Sequence, residues 1–233
     1  MTTTKKRARR FDYTEEQMAD AFERFMLAKR GLPGVGRLSK VFREVDCQQG
    51  RPDFIALAGR KRRFLNGNTV SLKLAGSLVL SFLHEGAART PAYLCEHSGM
   101  SRRTVEQALD ELARHRYIKQ TESGAYVTNA SRSLRAVEVV AIELKLDRPR
   151  RAVFQAQQCR AFAQRVLIVI PPSQLSTYRK YRVALRRWGI GVATFEPDSG
   201  EFILRRKPRR GKANSRQHQA YAMFQLFNEP SRA

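Results

Sequence analysis

The stretch from Ala136 to Leu146, Ala-Val-Glu-Val-Val-Ala-Ile-Glu-Leu-Lys-Leu, constrains the fold more than any other part of the chain. It is rich in β-branched residues, short for a helix, and closed by Asp147-Arg148-Pro149, so it reads as a strand. Alternation puts Glu143 and Lys145 on one face and Ile142, Leu144 and Leu146 on the other. Both faces are apolar upstream, the pattern of a strand covered on both sides. A carboxylate and an ammonium at the end of such a strand are unfavourable unless they pair, coordinate a metal or line a cleft. This is the sharpest functional signal in the sequence.

The chain has 233 residues, 42% of them hydrophobic, enough for one large domain or two small ones. Its 44 Lys and Arg against 21 Asp and Glu give a formal charge of +23, which points to a polyanionic partner. Nucleic acid is favoured over a membrane surface, because neither a long apolar span nor a basic amphipathic anchor is evident. The basic start, Lys5-Lys6-Arg7-Ala8-Arg9-Arg10, has no apolar run behind it and does not read as a secretory signal. Cys47, Cys95 and Cys159 lack disulfide or metal spacing, so a reducing cytoplasm is expected, with nucleoid association through the polyanionic partner. His84, His97, His115 and His218 are unclustered, and no zinc site is expected.

Taken in order, residues 1–13 read as a disordered basic tail. Thr14-Glu15-Glu16-Gln17 caps an amphipathic helix running to about Arg30 on Met18, Phe22, Phe25 and Met26. Gly31 to Arg37 looks superficially like a phosphate loop but lacks the Lys-Ser/Thr pair and a preceding strand, so it reads as a plain loop. Lys40–Val45 and Asp53–Ala58 read as an antiparallel hairpin with Asp53 at its mouth, followed by a basic, turn-rich connector over 60–68. Between 71 and 128 the pattern predicts a helix stopped by Gly86, helices over 90–97 and from Ser101, and a hairpin with a Ser-Gly tip. Beyond the focal strand come a helix over 150–163, a buried strand over 166–170, and a helix over 173–187 capped by Ser173. Two further strands, a cationic linker over 205–212 and a short amphipathic helix around Tyr221, Met223, Phe224 and Leu226 close the chain.

Residues 69–128 resemble a winged helix-turn-helix domain of the bacterial regulator type, with two helices joined by a short glycine-containing turn. In that motif the second helix enters the major groove by its N-terminal end. The resemblance makes Ser101, Arg102, Arg103 and Thr104 candidate DNA contacts, with Gln107 one turn on.

A second resemblance spans Gly50-Arg51-Pro52-Asp53-Phe54-Ile55-Ala56-Leu57, Glu143-Leu144-Lys145-Leu146 and Ala152-Val153-Phe154-Gln155-Ala156, before a strand ending at Pro171. These stretches resemble the PD-(D/E)XK nuclease superfamily. That resemblance implies an α/β (α+β) fold, a restriction-endonuclease-like mixed sheet flanked by helices. Residues 14–68 and 129–205 would form the core, 69–128 the inserted DNA-binding domain, and 206–233 a basic linker and C-terminal helix. It implies Mg²⁺ (or Mn²⁺) held by Asp53 and Glu143, with Glu44 as a further carboxylate. Lys145 would orient the attacking water, and Gln155 would help organise the site. The expected activity is metal-dependent cleavage of double-stranded DNA, by the chain alone, as a homodimer or within a larger protein complex, with no membrane partner. A non-catalytic DNA-binding regulator or assembly factor on the same scaffold is the alternative.

Overall fold

Thr14 and Gln17 close a capping box, so helix α1 (Glu15–Lys29) starts on the sequence signal. The computed structural model describes residues 11–58, 73–83, 87–129 and 138–228. The first ten residues of the tail, the connector at 60–68, Gly86, Ala136 and Val137 lie outside them. After α1 come strands β1 (Gly31–Leu32), β2 (Gly36–Arg43) and β3 (Phe54–Ala58). Helices α2 (Leu74–Phe82), α3 (Pro91–Ser98) and α4 (Arg102–Arg114) precede a small hairpin, β4 (Ile118–Gln120) and β5 (Tyr126–Thr128). Strand β6 (Glu138–Leu144), helix α5 (Pro149–Cys159) and β7 (Arg165–Ile170) follow. Helices α6 (Leu175–Tyr178) and α7 (Arg182–Trp188), strands β8 (Gly191–Glu196) and β9 (Glu201–Arg206), and helix α8 (Arg216–Asn228) complete the fold.

The main sheet is a mixed α/β assembly of seven strands in the order β1-β2-β3-β6-β7-β8-β9, with helices on both faces. Strands β6, β7 and β8 are parallel, and the remaining pairs are antiparallel. Every residue of β6 is buried, as both-sided coverage demands. Ile142 and Leu144 face α1, against Met18, Phe22 and Met26, while Val139 and Ala141 face the layer of α5, α6 and α7. Arg43 at the end of β2 ties α1 down by pairing with Asp20 and Glu23. That contact joins the middle of α1 to the end of β2.

The small unit of α2, α3, α4 and the β4–β5 hairpin has its own core, including Leu80, Leu94, Leu109 and Leu112. Arg89 bridges Tyr126 and widens the hairpin by one residue. Helix α8 joins this unit to the sheet layer. Ala220 and Phe224 pack into the small core, while Ala222, Met223 and Leu226 pack into the core beneath the sheet.

Three segments depart from the sequence reading. Gly31 to Arg37 is a hairpin rather than a plain loop, because Gly34 and Gly36 take positive φ (75° and 108°) and let β1 turn back on β2. The predicted helix over 173–187 is broken into α6 and α7 by 3₁₀ turns at Pro172–Gln174 and Arg179–Tyr181. No side-chain cap starts it, and Arg179, Lys180, Arg182, Arg186 and Arg187 repel one another along it with no carboxylate between.

The cationic linker is strapped to the fold. Arg209 N–H donates to Gly189 O, Gly211 N–H to Gln164 O, and Asn214 N–H to Arg160 O. Pro208 is buried over Gly191, where a Cβ would lie 2.7 Å from Pro208 Cδ and 2.8 Å from its N. Gly191→Ala is therefore expected to destabilise by about 1–3 kcal/mol through overpacking, read as a lowered urea midpoint at unchanged slope.

Candidate active site

The site is built where the end of β6 meets the start of β3. The register pairs Phe54 with Ile142, which brings Asp53, just before β3, beside the last residues of β6. Asp53 Oδ2 accepts the backbone N–H of Leu144 at 2.6 Å. Lys145 follows directly, and its own N–H donates to Val169 O on β7, holding it in line with the strand.

Lys145 Nζ lies 3.1 Å from Glu143 Oε1, 3.5 Å from Asp53 Oδ2 and 2.8 Å from Glu15 Oε1. Glu15 belongs to the first turn of α1, and its second oxygen accepts Leu146 N–H at 3.4 Å. Three carboxylates from three separate elements thus converge on one ammonium, leaving a formal surplus of negative charge in a chain of net charge +23. The Glu143 side chain is only 2% exposed, whereas that of Asp53 is 25% exposed and that of Glu15 43%. Glu143 forms the floor of the cluster, and the other two form its solvent side.

Burial, reinforced by the nearby Asp53 charge, pushes the Glu143 carboxyl up to about 7, with Lys145 pulling the other way. Burial also raises Asp53 against the opposing pull of Lys145. For Lys145 itself burial opposes the charge, but Glu143 and Asp53 outweigh it, so its pKa is raised and it stays an ammonium. A carboxyl with a folded pKa above its unfolded one binds more protons when folded. Its contribution to stability therefore falls as pH rises through the window from 4.5 to about 7. Glu143→Gln removes that slope. In metal-free buffer the variant is expected to match wild type below about pH 5 and to exceed it by on the order of 2 kcal/mol near pH 8, measured by urea unfolding.

Of the other expected site residues, Gln155 lies on α5 with its Oε1 buried and without a partner, and no hydrogen bond joins it to the cluster. Glu44 is not in the cluster. It takes a left-handed φ of 53° just past β2, and its carboxylate pairs with Arg51 at 3.0 Å in a half-exposed position. Glu15, which the sequence offers only as a helix-capping acid, holds the place expected of it. Tyr178 was not anticipated either. It is buried, and its phenol is raised first by burial and then by the charge of Glu143.

No protein-family model and no curated protein sequence matches the chain. The site must be read from its own donors. Among the described residues, no group of three or more His, Cys, Asp or Glu is arranged to hold a metal ion. Asp53 and Glu143 nonetheless offer the hard oxygens that Mg²⁺ takes, one or two carboxylates with waters completing the shell. Glu143 Oε2 is buried without a hydrogen-bond partner, an orphaned acceptor of the kind a cation or its water would satisfy. The donor set fits a divalent cation on that observation.

In the small unit, Ser101 is the N-cap of α4, its Oγ accepting Thr104 N–H, and the two hydroxyls are bonded to each other at 2.8 Å. Arg102 is exposed and pairs with Glu106 at 2.7 Å. Arg103 and Gln107 are exposed on the same helix, with no side-chain partner among the described residues. No helix among the described residues is long and apolar enough to cross a membrane.

Proposed function

We propose that the chain is a divalent-metal-dependent DNA endonuclease with a restriction-endonuclease-like core, positioned on duplex DNA by an inserted winged helix. The observation that carries this reading is the convergence of Asp53, Glu143 and Lys145 where the central strands β3 and β6 meet at their ends, with a buried Glu143 oxygen left unpartnered. Asp53 and Glu143 would hold the ion. When bound, Mg²⁺ or Mn²⁺ offsets phosphate charge and lowers the pKa of a coordinated water. Lys145, fixed by its neighbours, sets a permanent positive charge beside the scissile phosphate and orients the attacking water. Glu15 limits the swing of that lysine. Arg103 and Gln107 on α4 are free to reach base edges, Ser101 and Thr104 shape the helix start, and Arg102 must leave Glu106 to touch DNA. The surplus of cations supplies salt-sensitive affinity for phosphates, consistent with a nucleoid-associated protein acting alone, as a homodimer or in a larger complex.

A non-catalytic DNA-binding reading is favoured by one observation: the Lys145 ammonium occupies the point where the three carboxylates meet. Nicking of supercoiled plasmid separates the two readings. Nicking that appears with Mg²⁺ and stops with EDTA supports the endonuclease. Tight, metal-independent duplex binding with no nicking supports the regulator.

A further inference from the structure

A concavity lies away from the acidic cluster. It is an open groove of about 880 Å³ between the C-terminal end of α1, the β1–β2 hairpin and the β9 side of the sheet. Lys29, Arg30 and Arg37 line it, all exposed, and none of these side chains makes an ion pair or hydrogen bond among the described residues. Arg30 holds a left-handed φ of 49° at the helix end, where glycine is the less strained choice. One wall is the partly buried ring pair Phe25 and Phe202, stacked at 5.3 Å. The floor is bare backbone at Gly31 and Gly36.

No Asp, Glu, Asn, Gln, Ser, Thr or His lines the groove. It therefore lacks carboxylates and other side-chain acceptors for a cation, and the side-chain amides and hydroxyls that read base edges. Unpaired cations beside an apolar, aromatic wall suit a sugar-phosphate backbone bound without regard to sequence. We propose that this groove is a second nucleic-acid site that holds the backbone of a single strand. The inference rests on the nucleic-acid reading of the chain and extends it. Helix α1 carries Glu15 of the acidic cluster at one end and Lys29 of the groove at the other, about 21 Å apart at 1.5 Å per residue. One strand a few nucleotides long spans both, so the groove fixes the path of a strand past the cluster.

The test is fluorescence anisotropy of a labelled 16-nucleotide thymidine strand in EDTA, as a function of salt. Wild type is compared with Lys29→Gln/Arg30→Gln/Arg37→Gln and with a control, Lys180→Gln/Arg182→Gln/Arg187→Gln, which removes as many exposed cations from the opposite face of the sheet. The groove variant is expected to bind at least about 10-fold more weakly and to lower the slope of log K against log salt by about 2, at roughly 0.7 per phosphate contact. The control is expected to change the slope by less than half as much. A groove variant with the wild-type slope, or equal losses in both variants, overturns the groove while leaving the DNA reading intact. A wild type that binds neither this strand nor a duplex overturns both. All substituted side chains are exposed, and matching circular dichroism melts verify that the fold is kept.

Discussion

Lys145→Met is expected to destabilise the fold by about 3 kcal/mol or more near pH 8 and by much less near pH 5. Breaking a buried ion pair from one side leaves the other charge uncompensated, an effect of roughly 3–5 kcal/mol. Here the lysine side chain is 10% exposed and faces Glu143 at 2%. Methionine fills much of the same volume, so the effect reports charge rather than a cavity. Without the ammonium, the pull that holds the Asp53 and Glu143 pKa values down disappears, and both rise further. The folded state then binds more protons than the unfolded one over a wider window, and stability falls more steeply with rising pH. Adding Glu143→Gln to Lys145→Met should recover most of the loss, since the deepest unpaired charge is then gone. Urea midpoints at the two pH values for the four proteins of this cycle make the measurement. Equal losses at both pH values would assign the effect to packing of the lysine stem.

Asp53→Asn and Glu143→Gln are each expected to slow Mg²⁺-dependent plasmid nicking by about 100-fold or more, the scale of losing one well-placed electrostatic contact in a transition state. Duplex affinity in EDTA should stay within about threefold of wild type, because neither substitution removes a cation. The two variants separate catalysis from folding with unusual clarity. Glu143→Gln is expected to be as stable as wild type or more so, so lost nicking in that protein cannot be ascribed to unfolding. Full activity in both variants would remove these residues from the chemistry.

Much of the sheet was legible because its signals are local. Short apolar, β-branched runs between breakers mark β3, β6, β7 and β8, and the antiparallel β2–β3 hairpin follows from an alternating run and an apolar run joined by turn residues. The meeting of Asp53 with Lys145 follows once β3 pairs with β6. Glu15 was not legible as part of the cluster. Its sequence context reports a helix cap, and only the packing of α1 over the sheet brings it to Lys145. Glu44, read as part of the strand Lys40–Val45, instead takes a left-handed φ just past β2, and its carboxylate pairs with Arg51. Helix α8 reads as a weakly amphipathic end piece because its apolar residues serve two cores. Ala220 and Phe224 face the small helical unit, and Ala222, Met223 and Leu226 face the sheet layer.

Endonuclease chemistry at this site requires two acids, 90 positions apart in the chain, to act together as ligands of one divalent cation. Titration of Mn²⁺ into the protein, followed by loss of the free-ion paramagnetic resonance signal, tests this most directly. Wild type should take up one ion, Mg²⁺ should compete for it, and Asp53→Asn and Glu143→Gln should each weaken binding by at least about 10-fold. Uptake unaffected by either substitution, or no uptake at all, would contradict the account and leave Lys145 and its three carboxylates as a structural ion-pair network.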